Sequence, residues 1–341
     1  MTQLRTGSGS PNAKILGIGG YRPRRVVDNA EICTYIDSSD EWIRTRSGII
    51  ERRWAGPDET IQMMSIAAAR KALDRAGVEA GQIDAVIVST VTHLYQTPAV
   101  AATIASELGA KGAAAFDISA ACAGFCYATA MADSFVRTGT SKHVLIIGVE
   151  RLSDLTNYRD RSTMFLFGDG AGAAVIGPSD VPGIGPVVWG SDGDQAGLIK
   201  QTEPWDRAMN QVAGEEEGDG VALWPTLRME GNAVFKWAAY TMSKSAAEAL
   251  DAAGLKPEDL DVFVPHQANM RITDAMLRAL KLPERVVVGR DIAYQGNTSA
   301  ASIPLAIEAL LESGEARSGQ TCLIIGFGAG LVYAGQVIVL P

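Results

Sequence analysis

Unbroken apolar runs, Val144–Val149 and Cys322–Phe327 among them, are separated by stretches in which apolar positions recur every three to four residues. An unbroken run is the mark of a strand covered on both faces, and the wider spacing is that of a helix with one buried stripe. Helical patterns fall at Ile61–Ala76, Pro98–Leu108, Ala123–Val136, Asn232–Ala253, Met270–Leu280 and Ser302–Leu311. They alternate with the strands, which predicts an α/β fold.

The pattern repeats. Ala72-Leu73-Asp74-Arg75-Ala76-Gly77, followed by Ile83-Asp84-Ala85-Val86-Ile87-Val88, is echoed by Ala249-Leu250-Asp251-Ala252-Ala253-Gly254 and then Leu260-Asp261-Val262-Phe263-Val264. Each copy reads as a helix stopped by a C-terminal glycine, a short loop and an apolar strand. Leu145-Ile146-Ile147-Gly148 against Leu323-Ile324-Ile325-Gly326 adds a second echo at nearly the same offset. Self-similarity at one spacing predicts two like halves, residues 1–177 and 178–341, meeting near Gly177-Pro178. The segment 201–224, with Glu215-Glu216-Glu217-Gly218-Asp219-Gly220, falls outside the repeat and reads as an exposed acidic insertion. The uncharged stretch Ser318–Pro341 could span a bilayer by length, but its glycines and glutamines make it two strands joined by a glycine turn.

Composition narrows the functional classes. Hydrophobic residues make up 47% and charged residues 20% of the 341, which is ordinary globular usage. A formal charge of −9 argues against nucleic acid as the main partner. Four scattered cysteines, Cys33, Cys122, Cys126 and Cys322, do not make a disulfide scaffold, and no N-terminal stretch has the form of a signal peptide, so a cytoplasmic location is expected.

Three sites carry candidate chemistry. Cys122 stands where an apolar strand gives way to an Ala-rich helix, and a helix N-terminus is expected to favour thiolate. A cysteine alone is more often a small buried hydrophobe, the reading given to Cys33, Cys126 and Cys322. His266 ends the apolar strand Val262–Pro265 and opens Val264-Pro265-His266-Gln267-Ala268-Asn269, at the carboxyl end where open α/β sheets place their chemistry. Asn297, in Gly296-Asn297-Thr298-Ser299-Ala300-Ala301-Ser302, follows a strand-like run and precedes a helix. In the duplicated frame it falls near the counterpart of Cys122, since Asp117-Ile118 and Asp291-Ile292 precede the two sites, and an internal two-fold would bring Cys122 and Asn297 to one centre. A helix cap is the competing role for Asn297. The glycines of Gly168-Asp169-Gly170-Ala171-Gly172-Ala173 are followed by a strand-like run, where a dinucleotide fingerprint needs a helix. Phe327-Gly328-Ala329-Gly330 lies at a strand end and could present N–H groups to an oxyanion, or form a simple tight turn.

Ala121-Cys122-Ala123-Gly124-Phe125, Val264–Asn269 and Gly296–Ser302, with Ser39-Asp40-Glu41-Trp42-Ile43 and Phe167-Gly168-Asp169-Gly170-Ala171-Gly172, resemble β-ketoacyl-acyl carrier protein synthase III of the thiolase superfamily. The resemblance runs from about Ala13 to Pro341 in the right order. It implies a five-layer αβαβα sandwich built from two duplicated halves, a homodimer, and decarboxylative Claisen condensation of an acyl-CoA primer with malonyl-acyl carrier protein, at the start of fatty-acid or polyketide synthesis. The alternative is a non-catalytic acyl-binding or partner subunit on the same fold, which would be expected to lose the nucleophile.

The resemblance implies the roles as well. Cys122 takes the acyl group as a thioester, while His266 and Asn297 donate hydrogen bonds to the malonyl thioester oxygen. The N–H groups of Cys122 and Ala329 hold the other oxyanion, although many relatives carry Gly at the position of Ala329, and Phe327 shields the donors from water. Trp42 and Arg161 sandwich the CoA adenine, and Arg46, Asn269 and Gly231 line the pantetheine or phosphate path. Thr97 closes the end of the acyl pocket across the dimer, where acetyl-restricted members carry a bulky aromatic. Lys236 and Arg271 are the candidates for docking the acidic carrier protein. No metal, redox cofactor or membrane partner is expected.

Overall fold

The structure, a computed structural model, describes residue 4, residues 7–207 and residues 224–341. Most of the predicted acidic insertion, residues 208–223, lies outside the described residues. Two five-stranded sheets dominate. The first is ordered Asn12–Tyr21, Asp169–Ser179, Val144–Arg151, Ala85–Ser89, Ala114–Ile118. The second, read the same way, is Val188–Gly190, Tyr333–Val339, Thr321–Phe327, Val262–Pro265, Val287–Val288. Corresponding strands occupy corresponding places, so the echo seen in the sequence is one topology used twice.

The unbroken apolar runs are explained by the pleat. Along Val144–Arg151, Val144 and Ile146 enter the core between the sheets, whereas Leu145, Ile147 and Val149 enter the core beneath the outer helices of the first half. Val262, Val264, Cys322 and Ile324 face the central core, while Phe263, Leu323, Ile325 and Phe327 face the outer core of the second half. Successive side chains point to opposite faces, and both faces are dry.

Helices fill the remaining layers. Ile61–Ala76 covers the outer face of the first sheet, Gly231–Ala252 that of the second, and Gly124–Thr138 and Ser302–Ser313 lie between the sheets. The result is the five-layer αβαβα sandwich. Ile61–Ala76 and Met270–Leu280 run as the sequence predicts, and the other four helices differ from it by one or two residues at an end. The helix expected from Pro98 begins at Val100, because the Asp117 carboxylate, from the neighbouring strand, accepts the N–H groups of Val100 and Ala101 at 2.8 and 2.9 Å. The strand-like run before Gly296 is the edge strand Val287–Val288, and a short helical turn, Ile292–Gln295, separates it from Asn297.

One buried charge crosses between the halves. Glu308, on the central helix Ser302–Ser313, accepts the Gly20 N–H at 2.7 Å and faces Arg22 at 2.5 Å, Arg75 at 3.2 Å and Lys71 at 3.7 Å. Ser318–Pro341 forms the antiparallel strands Thr321–Phe327 and Tyr333–Val339, and no helix among the described residues is long and apolar enough to cross a membrane.

Candidate active site

Cys122 lies in the short 3-10 turn Ala121–Ala123 that joins the strand Ala114–Ile118 to the helix Gly124–Thr138. Ala121 holds φ +43°, a left-handed conformation that costs a residue with a Cβ on the order of 1 kcal/mol and persists because the surroundings fix it. Two glycines allow the turn to pack. A Cβ on Gly124 would overlap the Ser89 hydroxyl, and one on Gly328 would come within 2.6 Å of the Cys122 nitrogen. Among the described residues the N–H groups of Cys122 and of Ala329, next to Gly328, make no backbone–backbone hydrogen bond, and that of Cys122 faces its own thiol. They remain available to an incoming oxyanion.

The expected thiolate is not the resting state. Burial pushes the Cys122 thiol up to about 12, and negative charge on Glu150 acts in the same direction, against a hydrogen bond from Ser299. Desolvation outweighs the helix N-terminus, so Cys122 rests as a thiol.

The second half supplies a matching turn, Ser299–Ala301, leading into Ser302–Ser313, with Ser299 at φ +47°. The strict counterpart of the Ala121 turn therefore begins at Ser299, and Asn297 lies just before it. Asn297 is buried, and its backbone is pinned to the first half: its N–H donates to Leu166 O at 2.8 Å and its carbonyl accepts from Gly168 N at 3.0 Å. Its Oδ1 accepts the Ser299 N–H at 2.9 Å, so the side chain is oriented and its Nδ2 is left without a partner among the described residues.

His266 is buried at the end of Val262–Pro265, with Phe327 against its ring at 5.6 Å between centroids. Its Nδ1 lies 2.7 Å from Ser302 Oγ. That hydroxyl accepts the Gln267 N–H at 3.3 Å, so its own proton is free to point at Nδ1. Nδ1 then accepts and Nε2 carries the hydrogen. Burial pushes the ring down to about 3, which keeps it a neutral donor at physiological pH.

The sequence reading missed Glu150. It stands at the end of the otherwise apolar strand Val144–Arg151, wholly buried, accepting from Thr92 Oγ1 at 2.7 Å, Val91 N at 3.1 Å and Ser299 Oγ at 3.2 Å. Burial raises its carboxyl to about 7. An acidic residue closing an apolar strand at its carboxyl end was the available signal. Ser302, at the end of Gly296–Ser302, carries no signal in the sequence of its contact with His266.

The remaining candidates lie outside this centre. Trp42 is half-buried, edge-on to Phe165 at 5.3 Å, with the Arg161 guanidinium over its face at 4.9 Å and that of Arg46 at 5.9 Å. Arg161 already rests on the indole, so a purine entering between them must displace it. Asn269 caps Met270–Leu280 through Oδ1 to the Arg271 N–H at 2.9 Å, and its Nδ2 donates to Arg46 O at 3.0 Å, which joins that helix to the Trp42 helix Asp40–Ser47. Gly231, exposed, begins Gly231–Ala252 with open space around it. Thr97 lies exposed in the loop before Val100–Leu108. Lys236 is exposed, and Arg271 stacks on the adjacent Phe235 at 5.1 Å, so the two cations sit on neighbouring helices. Cys126 and Cys322 are buried in the central core, and no group of three or more metal-binding side chains occurs among the described residues.

Comparison with known proteins follows this geometry. Residues 116–193 match the 3-oxoacyl-[acyl-carrier-protein] synthase III family, and residues 250–340 match the C-terminal region of the same family. The chain is 59% identical over 343 residues to a β-ketoacyl-[acyl-carrier-protein] synthase III of Streptomyces coelicolor, with both chains fully covered. It is 49% identical to the mycobacterial synthase III of Mycobacterium avium, covering 100% of this chain and 99% of the other. Among solved structures, the priming β-ketosynthase of the R1128 polyketide pathway superimposes with a TM-score of 0.95 at 51% identity, covering 100% and 99% of the two chains. The synthase III of Aquifex aeolicus gives 0.87 at 38% identity, covering 96% and 100%. These likenesses favour the condensing enzyme over the non-catalytic subunit. The chain belongs to the 3-oxoacyl-[acyl-carrier-protein] synthase III family, acyltransferase-type condensing enzymes on the thiolase fold.

Proposed function

We propose that the protein joins an acyl-CoA primer to malonyl-acyl carrier protein with loss of carbon dioxide, initiating a fatty-acid or polyketide chain, with Cys122, His266 and Asn297 as the catalytic residues. The observation that carries this reading is the packing of the Cys122 turn against the turn that Asn297 precedes, with Gly328 against the Cys122 nitrogen and the adjoining Phe327 against the ring of His266. Cys122 attacks the acyl-CoA carbonyl, and its thioester forms as the CoA thiol leaves. The Cys122 and Ala329 N–H groups receive the oxyanion of that step. Malonyl-carrier follows, and as its carboxylate departs, negative charge grows on the thioester oxygen. His266 Nε2–H and Asn297 Nδ2–H receive it, each contributing roughly 3 kcal/mol. The resulting enolate attacks the acyl-enzyme carbonyl and releases Cys122. Phe327, packed on the His266 ring, keeps bulk water from competing for the donors.

In the same reading Trp42 and Arg161 hold the CoA adenine, and Arg46, Asn269 and Gly231 border the path to Cys122. Thr97 limits the primer, Lys236 and Arg271 meet the carrier protein, and two copies pair in the cytoplasm with no metal or redox cofactor. The halves 1–177 and 178–341 then divide the labour, nucleophile from one and donors from the other.

The test is mass spectrometry after incubation with acetyl-CoA and butyryl-CoA. An acyl adduct should map to Cys122 and vanish in Cys122→Ser. His266→Ala and Asn297→Ala should form the adduct yet release carbon dioxide from malonyl-carrier at least about 100-fold more slowly. An adduct on Cys126, or equal loss of both steps, would overturn the assignment.

A further inference from the structure

A buried hydrogen-bond chain leads from the nucleophile to a carboxyl group that the reaction, as derived above, does not use. Ser299, in its left-handed turn, donates to Glu150 Oε1 at 3.2 Å, and that turn packs against the Cys122 turn with the Ser299 hydroxyl acting on the thiol. Glu150 is wholly buried and has no cationic partner among the described residues. The hydroxyls of Thr90 and Thr92 and the N–H of Val91 face it from the loop after Ala85–Ser89, and Gly170 faces it from the adjoining strand. The titratable group facing it across Ser299 is the Cys122 thiol, while the guanidinium of the adjacent Arg151 turns away to Asp154.

A structural carboxylate buried among neutral donors costs stability unless it is tightly satisfied. Here it lies within one hydroxyl of a thiol that must lose a proton. Two anions so close would repel each other, and moving a single proton along the chain removes that conflict, since Glu150 becomes neutral as Cys122 becomes charged.

We infer that Glu150 is the proton acceptor for Cys122 during acyl loading, acting through the hydroxyl of Ser299. The Cys122 S–H proton passes to Ser299 Oγ as the Ser299 hydroxyl proton passes to Glu150 Oε1. The thiolate then forms its bond to the acyl carbon, the bond to the CoA sulfur breaks, and the CoA thiolate that leaves takes up the proton Glu150 received. Ser299 touches the reacting sulfur and is the catalytic member of the chain; Glu150 is the positioning residue behind it. With its carboxyl raised to about 7, Glu150 is partly ionised at physiological pH and able to accept a proton.

The inference rests on Cys122 as nucleophile and is tested by single-turnover loading from butyryl-CoA between pH 5.5 and 9.5, with the adduct mapped. In the unmodified protein the rate should climb with pH through a value near 7. Glu150→Gln, which retains shape and hydrogen bonding, should load about 100-fold more slowly at pH 7 and lose that inflection. Its deficit should narrow as rising pH ionises the thiol directly, a recovery that mere loss of structure would not give. Ser299→Ala, which leaves Glu150 on Thr90, Val91 and Thr92, should behave alike, and it carries the test if Glu150→Gln does not fold. Loading by either variant at the unmodified rate with the unmodified pH profile would overturn the relay while leaving Cys122 as the mapped site. An adduct mapping elsewhere in the unmodified protein would overturn the nucleophile and the relay together.

Discussion

Ser302 Oγ sits 2.7 Å from Nδ1 of His266 while accepting the Gln267 N–H, and this pair of contacts decides which imidazole nitrogen carries the hydrogen. Without the serine, Nδ1 loses its donor and both tautomers become accessible. Ser302→Ala should slow carbon dioxide release about 10-fold and change acyl loading far less, whereas Ser302→Thr should retain most activity. Parallel assays of loading and decarboxylation decide the point; equal loss in both would assign Ser302 to packing alone.

The approach of Gly328 to the Cys122 nitrogen leaves no space for a methyl group. Gly328→Ala must push apart the two turns that carry the candidate oxyanion donors, Ala121–Ala123 and Ala329–Leu331. We expect acyl transfer to fall about 100-fold with a change of less than about 2 kcal/mol in stability, measured by single-turnover kinetics and denaturant unfolding.

His266 supplies a pH prediction with a definite sign. Its folded-state value is depressed to about 3 from the usual 6.5, so below pH 6.5 the unfolded chain binds a proton that the folded chain refuses. Stability from this group is full above 6.5 and declines as pH falls toward 3. Relative to the unmodified protein, His266→Gln should gain up to about 1.4 kcal/mol per pH unit between pH 6 and 4.5. Paired urea titrations across that range measure it, and a constant difference would contradict a neutral buried ring.

Thr97 is small and exposed, and the proposed reading sets it at the end of the acyl pocket of a second copy. Thr97→Phe should lower kcat/KM for butyryl- and isobutyryl-CoA far more than for acetyl-CoA, since each methylene excluded from a pocket forfeits up to about 0.8 kcal/mol. An unchanged ratio across these primers would remove Thr97 from the pocket.

Lys236 and Arg271 lie on neighbouring helices of a chain whose net charge is −9, so an acidic carrier needs a local attraction of this kind. Reversing both charges should raise KM for malonyl-carrier about 10-fold, more at low salt than at high, and leave loading from acyl-CoA intact. Indifference to salt would place the docking surface elsewhere.

Much of this was legible because burial on two faces writes itself along a strand: Val144–Val149 and Cys322–Phe327 were both identified from apolar continuity. Cys122, His266 and Asn297 could be named because each stands where an apolar run breaks into small or polar residues. The helical turn Ile292–Gln295 left no trace in the sequence because four residues are too few to distinguish a helical from an extended period. The start of Val100–Leu108 was hidden because its cap, Asp117, comes from a different strand. The thiol was misjudged because a helix terminus is visible in sequence and desolvation is not. Glu150 and Ser299 meet only through register between segments 149 residues apart, which no local pattern encodes.

Glu308 carries a consequence for how the molecule comes apart. A fragment ending after Ser179 would keep Arg22, Lys71 and Arg75 clustered around a carboxylate that no longer exists, and would expose the inner face of its sheet as well. Neither copy of the repeat is a self-sufficient building block, despite their common topology. Melting should be a single cooperative event, and the two fragments, expressed separately, should regain structure only when mixed.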